Sequence, residues 1–223
     1  MCFSSTASFT AGIVLTAVGV ASIKKAKSKQ QLMFAAIPFL FAVQQFIEGL
    51  IWLSFVNADI AVLRIPATYA YLSFAQVLWP VWVPLSLLLL SQERKYRNIL
   101  ITFTITGIAL FSYFIFCLFH FPVSVQMANH HLLYKFDYPV HSKYIRVALY
   151  FVVTILPPLF SNNRKLKWLS AFIFTSYVLT LIFYSENHLS VWCFFAASIS
   201  LFIWAIMHDL QIAAGKMAIE KAN

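Results

Sequence analysis

Charged residues are scarce in this chain of 223 residues. Asp, Glu, Lys and Arg make up 10% of it, whereas apolar residues make up 61%. A soluble domain of this size carries about 25% charged residues, which it needs to cover a surface that faces water. The shortage of charge therefore excludes an ordinary soluble domain and predicts an integral membrane protein.

Long polar segments are also lacking, so the breaks between apolar stretches are too short to hold a second folded domain. A helix rises ~1.5 Å per residue and the hydrocarbon core is ~30 Å thick, so a span needs roughly 17–25 apolar residues. We predict an all-α, seven-transmembrane-helix bundle that forms one domain over residues 1–223. The predicted spans are 4–23, 32–56, 68–91, 98–119, 144–161, 168–184 and 189–210.

The orientation of the spans follows from the basic residues in the short loops. Twelve of the sixteen Lys and Arg residues fall in segments 24–29, 94–97, 164–167 and the C-terminal tail, and four fall on the opposite side. This distribution predicts an outside N-terminus and a cytoplasmic C-terminus. It also accounts for the net charge of +9 through contacts with anionic lipid head groups, so no nucleic acid partner is expected.

Several motifs of enzymes and receptors are missing. The chain has no G-x-S-x-G, P-loop, H-E-x-x-H or C-x-x-C motif. No lysine lies inside a predicted span, which excludes a retinal pigment of the rhodopsin kind. We therefore predict no cofactor and no metal.

Glu48 is the only acidic residue placed well inside a predicted span. Buried charges in a membrane are costly and generally face the protein interior. Gln44, Gln45 and Trp52 lie three or four residues from Glu48 and share its helix face. This face indicates a ligand or catalytic site, although amides and carboxylates also link helices without any further role.

The next span carries Gln76, Trp79, Pro80 and Pro84. Pro80 removes the helical bond to the carbonyl of Gln76 and predicts a kink at this level. Equal depths of Glu48 and Gln76 predict that two antiparallel spans bring Gln44, Glu48 and Gln76 together. The alternative is that the prolines only shape the packing.

His188 and Trp192 share one face at the outer end of the last span. We expect His188 above the same pocket, either as a functional group or as a hydrogen-bonded surface residue. The outer loop 120–143 also carries histidines, but their spacing fits no closed zinc site. We expect a solvated loop or a lid there.

The three cysteines, Cys2, Cys117 and Cys193, all map near the outer face. One reading is three small buried side chains. The other is a disulfide, for which Cys2 and Cys193 are the first choice.

Four strings of the sequence, MCFSSTASFTAGIVLTAVGV, PFLFAVQQFIEGLIWL, QVLWPVWVPLS and SVWCFFAAS, resemble a family of uncharacterised bacterial seven-span membrane proteins. The resemblance implies a location in the bacterial cytoplasmic membrane and no settled activity. A second resemblance, of topology only, is to seven-span hydrolases such as alkaline ceramidases. Those hold a zinc ion through three histidines, two of them four residues apart, but here Trp192 stands four residues after His188.

Together these features predict a pocket in the outer half of the membrane for a small apolar or lipid-like molecule. Glu48 would supply a charged or proton-accepting group, and the residues that orient or pack the ligand would be Gln44, Gln45, Gln76, Trp52, Trp79 and Trp192. A sensor, receptor or transport role is expected, with membrane lipids as partners. The alternatives are a lipid-modifying enzyme that uses Glu48 and His188, a proton-coupled transporter, and a structural subunit.

Overall fold

The structure is a computed structural model, and it describes residues 4–91, 93–128, 131–139, 143–183 and 195–222. The described chain is mainly helical. Among these residues, four helical stretches are long and apolar enough to cross a membrane: Ser5–Ile23, Lys29–Val56, Ala58–Leu90 and Arg94–His120. Two shorter apolar helices follow at Tyr144–Leu159 and Ser198–Ala213. The helical membrane character that the composition predicts is thereby supported, while the count of seven spans and their orientation stay predictions.

Helix α1 (Ser5–Ile23) begins at Ser4, whose hydroxyl oxygen accepts the backbone N–H of Ala7 at 3.2 Å. Such a cap satisfies one of the free N–H groups at a helix start. The helix packs against the third helix through glycines, because a Cβ on Gly12 would lie 2.9 Å from the ring of Phe46. Small residues allow helix backbones to approach closely inside a membrane.

The second predicted span, 32–56, consists of two helices, α2 (Lys29–Ala35) and α3 (Ile37–Val56). They are separated at Ala36, and Pro38 stands in the first turn of α3. Proline has no N–H to donate, so it is tolerated best in the first turn of a helix. The helical stretch thus starts three residues earlier than predicted.

The third helical stretch changes its winding along its length. A 3-10 turn (Ala58–Leu63) leads into α4 (Arg64–Leu72), a π-helical segment (Ser73–Leu78) and α5 (Trp79–Leu90). Pro80 lies in the first turn of α5 and cannot bond back into the preceding turn. The predicted kink therefore takes the form of a π-helical segment, a widening that is common at functional sites.

Helix α6 (Arg94–His120) is followed by a β-hairpin, which corrects the all-α prediction. Strands β1 (Val123–Ala128) and β2 (His131–Phe136) pair in antiparallel fashion, with Val123 opposite Phe136. Alternate residues such as Val123 and Val125 are buried, because side chains of a strand point to opposite faces in turn. Tyr134 of β2 stacks on Tyr71 of α4 with ring centres 4.8 Å apart. The hairpin is thus packed onto the bundle.

The remaining described elements are α7 (Lys143–Ile155), a 3-10 turn (Pro157–Leu159), α8 (Arg164–Phe183) and α9 (Ala196–Ala222). Helix α9 continues past the predicted end of the last span, and the first part of that span lies outside the described residues. A salt bridge of 2.6 Å between Lys165 and Asp209 joins α8 to α9.

Candidate functional site

Glu48 and Gln45 form a buried pair on α3. Glu48 is fully buried and Gln45 is 2% exposed. The amide Nε2 of Gln45 donates a hydrogen bond of 3.1 Å to Oε2 of Glu48. Three residues on a helix separate neighbouring positions on one face, so this bond follows directly from the sequence spacing. The carboxyl group is therefore inside the protein and bonded to an amide.

Gln44 bonds to α5 instead. The indole Nε1 of Trp79 donates to Oε1 of Gln44 at 3.1 Å, and both side chains are buried. Phe41, one turn before Gln44, packs on the Trp79 ring with centroids 4.2 Å apart. A second tryptophan of α5, Trp82, donates from Nε1 to the carbonyl of Met33 on α2 at 3.0 Å.

Gln76 bonds to a residue that the sequence did not indicate. Its Oε1 accepts the hydroxyl of Tyr138 at 3.1 Å. Gln44, Glu48 and Gln76 therefore each have a different described partner: Trp79, Gln45 and Tyr138. All three side chains are buried, and their convergence at one site stays a prediction.

The prolines of the third stretch leave backbone carbonyls that other helices cover. The hydroxyl of Tyr150 on α7 donates to the carbonyl of Ala75 at 2.7 Å. A π-helical bond to Ala75 would require the N–H of residue 80, which is Pro80. The predicted loss of a helical bond is thus found at Ala75, one residue before the expected Gln76.

Pro84 has a similar effect. The carbonyl of Pro80 would accept the N–H of residue 84 in an α-helix, but proline has no N–H. That oxygen faces α6 at Gly107, where a Cβ would lie only 2.0 Å away. A glycine is therefore needed at this contact, since any side chain would collide with the backbone of α5.

Trp52 is 6% exposed, and its Nε1 has no hydrogen-bond partner in the described part of the chain. It lies one turn beyond Glu48 on α3, as predicted. The other two predicted site residues, His188 and Trp192, lie outside the described residues, as do Cys2 and Cys193. Cys117 is a buried free cysteine.

Tyr138 and Arg146 join the segment after the hairpin to the helices. The guanidinium of Arg146 donates to the carbonyl of Pro139 at 2.8 Å and to the hydroxyl of Tyr113 at 3.2 Å. It also lies 5.7 Å from the centre of the Tyr138 ring. Burial raises the pKa of the Tyr138 phenol above its usual range, so the hydroxyl stays protonated and keeps its bond to Gln76.

A cavity opens between the helices on one side of the Gln44–Trp79 bond. Its walls come from α2, α3, the π-helical segment, α5, α7, the 3-10 turn after α7, α8 and α9. The empty space, including its mouth, is about 760 Å³, but the centre of a water-sized sphere can move through only about 80 Å³ of it. The larger volume includes open solvent at the mouth, so the enclosed room is small.

The cavity wall is apolar. Three polar side chains border it, Gln44, Tyr150 and Thr154, and each makes a hydrogen bond within the protein. Gln44 accepts from Trp79, Tyr150 donates to Ala75, and Thr154 donates to the carbonyl of Tyr150 at 2.7 Å. Within the described part of the chain, no charged residue lines the space. The surface offered to a ligand is consequently hydrocarbon.

The cavity shares two residues with the pocket that the sequence predicted. It reaches Gln44 and Trp79, but its lining does not include Gln45, Glu48, Trp52 or Gln76. Its far end is at Phe34, close to the basic segment 24–29, whereas the predicted pocket was on the Glu48 side of Gln44. A binding role for the residues on the Glu48 side stays a prediction.

Three residues, Phe41, Tyr138 and Tyr150, were not predicted from the sequence. Phe41 and Tyr150 line the cavity, and Tyr138 holds Gln76. Proline spacing offered one signal, because each missing N–H leaves a carbonyl that needs a donor from another helix. It did not show which tyrosine supplies that donor.

These features define the class: a helical protein whose described part has four helical stretches long and apolar enough to cross a membrane and an apolar cavity between its helices. A family model described as "Family of unknown function (DUF6629)" matches residues 1–217, and the chain belongs to that family. No curated protein and no solved structure matches the chain. This membership agrees with the resemblance of the sequence to an uncharacterised family. Bacterial origin stays a prediction.

Proposed function

We propose that the protein binds a small apolar or lipid-like molecule inside the membrane, as a sensor, a receptor or part of a transport path. The observation that carries the proposal is the small cavity whose bordering polar groups are all bonded within the protein. Apolar cavities of this kind exclude water and accept hydrocarbons.

The membrane topology of the proposal has seven spans in a cell membrane, with the N-terminus outside. The candidate spans and shorter apolar helices support this count, together with α8, which has 20 residues. Two contacts bring basic segments to one end of the bundle. Lys25 donates to Gln211 at 3.4 Å, and Lys165 pairs with Asp209.

Cysteine labelling tests this topology. Serine replaces the three native cysteines, and single cysteines are placed at the exposed positions Lys27 and Gln126, which lie at opposite ends of the bundle in the proposal. In intact cells we expect a membrane-impermeant maleimide to label Gln126→Cys and to leave Lys27→Cys unlabelled until the membrane is opened. The reverse pattern, or equal labelling, would contradict the orientation.

Binding in the cavity is tested through Trp79, which lines it. A variant that keeps Trp79 and replaces the other tryptophans by Phe is placed in lipid nanodiscs. The probe is the methyl ester of dibromostearic acid, whose bromines quench a tryptophan on contact. The reference variant keeps only Trp168, which is 58% exposed and faces the bilayer in the proposed topology.

We expect the quenching of Trp79 to saturate at a low mole fraction of the ester, whereas that of Trp168 should rise steadily. Ile173→Phe narrows the cavity and should weaken the quenching of Trp79. The matched change Ile105→Phe, at a residue that is 62% exposed on α6, should leave it unchanged. Quenching of Trp79 that never saturates, or that ignores Ile173→Phe in a folded protein, would refute the proposal.

A further inference from the structure

We infer that the cavity takes the single hydrocarbon chain of an anionic amphiphile, whose head group lies at the basic end of the bundle. This inference rests on the proposed function and names the ligand class for the same cavity. It follows from the surroundings of the two ends of the cavity, which differ in charge, and from the small volume of the cavity.

One end of the cavity lies close to basic residues. Phe34 and Leu169 line that end. Phe34 follows Lys29 by five residues on α2, and Leu169 follows Lys165 by four on α8. At ~1.5 Å per residue, these distances along the helix axes are about 6–8 Å. A head group at the helix ends is thus within reach of a chain that enters the cavity.

The basic side chains at this end are largely uncompensated. Lys29, Arg94, Arg164 and Lys167 are exposed, and no carboxylate is bonded to any of them among the described residues. Asp209 at the same end already forms a salt bridge with Lys165. Glu93 accepts the backbone N–H of Asn162 at 3.0 Å. The local balance therefore favours a negatively charged head group.

The opposite end of the cavity has no charged side chain among the described residues that line it. Gln44, Ala75 and Tyr150 bound it, and their described hydrogen bonds are made within the protein. A buried charge without a partner is strongly unfavourable. The innermost part of the ligand must therefore be an uncharged hydrocarbon end.

The small volume of the cavity favours a ligand with one chain. The centre of a water-sized sphere can move through only about 80 Å³ of the space. A fused-ring molecule or two chains side by side need more room than one unbranched chain. Fatty acids and anionic lysophospholipids share this chemistry.

The test compares probes that carry the same brominated chain on different head groups. In the Trp79-only variant in nanodiscs of neutral lipid, the probes are dibromostearate, its methyl ester, and lysophosphatidylglycerol and lysophosphatidylcholine with the dibromostearoyl chain. We expect the two anionic probes to half-saturate the quenching at a mole fraction at least fivefold below those of the ester and the zwitterionic probe. Comparison of the two anionic probes separates a carboxylate from a phosphate.

Charge variants locate the head group. Arg164→Gln and Lys167→Gln should each weaken the anionic probes about fivefold and leave the methyl ester unchanged, since one basic residue near a membrane surface contributes about that factor. Lys135→Gln, the same loss of charge on the exposed side of β2, should have no effect. Equal affinity of the ester and the anionic probes, or insensitivity to both basic variants, would overturn the inference while the proposed function stands. Loss of saturable quenching by every probe would instead remove the proposed function itself.

Discussion

Substitution of each of the five glycines by alanine tests the helix packing. The largest effect is expected at Gly107. A Cβ at Gly107 would lie 2.0 Å from the carbonyl oxygen of Pro80. Ordinary contact is about 3.4–4 Å, so the backbones of α5 and α6 would have to separate by more than 1 Å at this point. We expect Gly107→Ala to lower the free energy of unfolding by about 3 kcal/mol, at the upper end of the usual cost of overpacking.

At the other glycines, the loss of stability on substitution by alanine should depend on which atoms the added Cβ would meet. At Gly19 the obstacle is the backbone nitrogen of Phe39 at 2.7 Å, so we expect a cost of about 2 kcal/mol. At Gly12 and Gly49 the obstacles are phenylalanine rings at 2.9 Å, which can rotate, and the cost should be about 1 kcal/mol. Gly215 has nothing within 4 Å, so alanine there should be neutral or stabilise the helix by up to about 1 kcal/mol.

Reversible unfolding of the five variants by sodium dodecyl sulfate in mixed micelles, followed by far-ultraviolet circular dichroism, measures this order. Gly215→Ala serves as the control, because it makes the same chemical change in a helix without a neighbour. The reasoning about helix contacts would be refuted if Gly107→Ala were as stable as Gly215→Ala, or if the ranking were unrelated to the obstructing atoms.

The remaining predictions concern one tyrosine and one cysteine. Because burial raises the pKa of Tyr138, the unfolded chain loses this proton first as the pH rises, near the usual value of about 10, and the folded protein should lose stability above that pH. Tyr138→Phe should be less stable than the wild type at pH 8, since it loses the bond to Gln76. The difference in stability should shrink between pH 10 and 12. A difference that stays constant over this range would argue against the burial of Tyr138. In a Cys2→Ser, Cys193→Ser variant, the buried Cys117 should react with a maleimide only after unfolding, and rapid labelling of the folded protein would contradict its position.

The sequence determined the chemical class of the protein and the character of its segments. Apolar runs that are longer than a hydrocarbon core, together with few charges, specify membrane helices regardless of how those helices pack. The position of Glu48 next to Gln45 on one helix face is a local consequence of helical spacing, and the buried pair is found as that spacing implies. The prolines likewise predicted a disturbance of the third stretch before its form was known.

Only the tertiary structure decided what those groups meet. Gln44 and Gln76 are both buried amides, yet one bonds to Trp79 and the other to Tyr138, which comes 62 residues later. The hairpin, its stacking on Tyr71, and the cavity between α3, α5 and α8 depend on contacts between distant segments. In a membrane all helices are apolar on many sides, so hydrophobic pattern alone does not select a neighbour. Close packing of shapes and paired polar groups makes that selection.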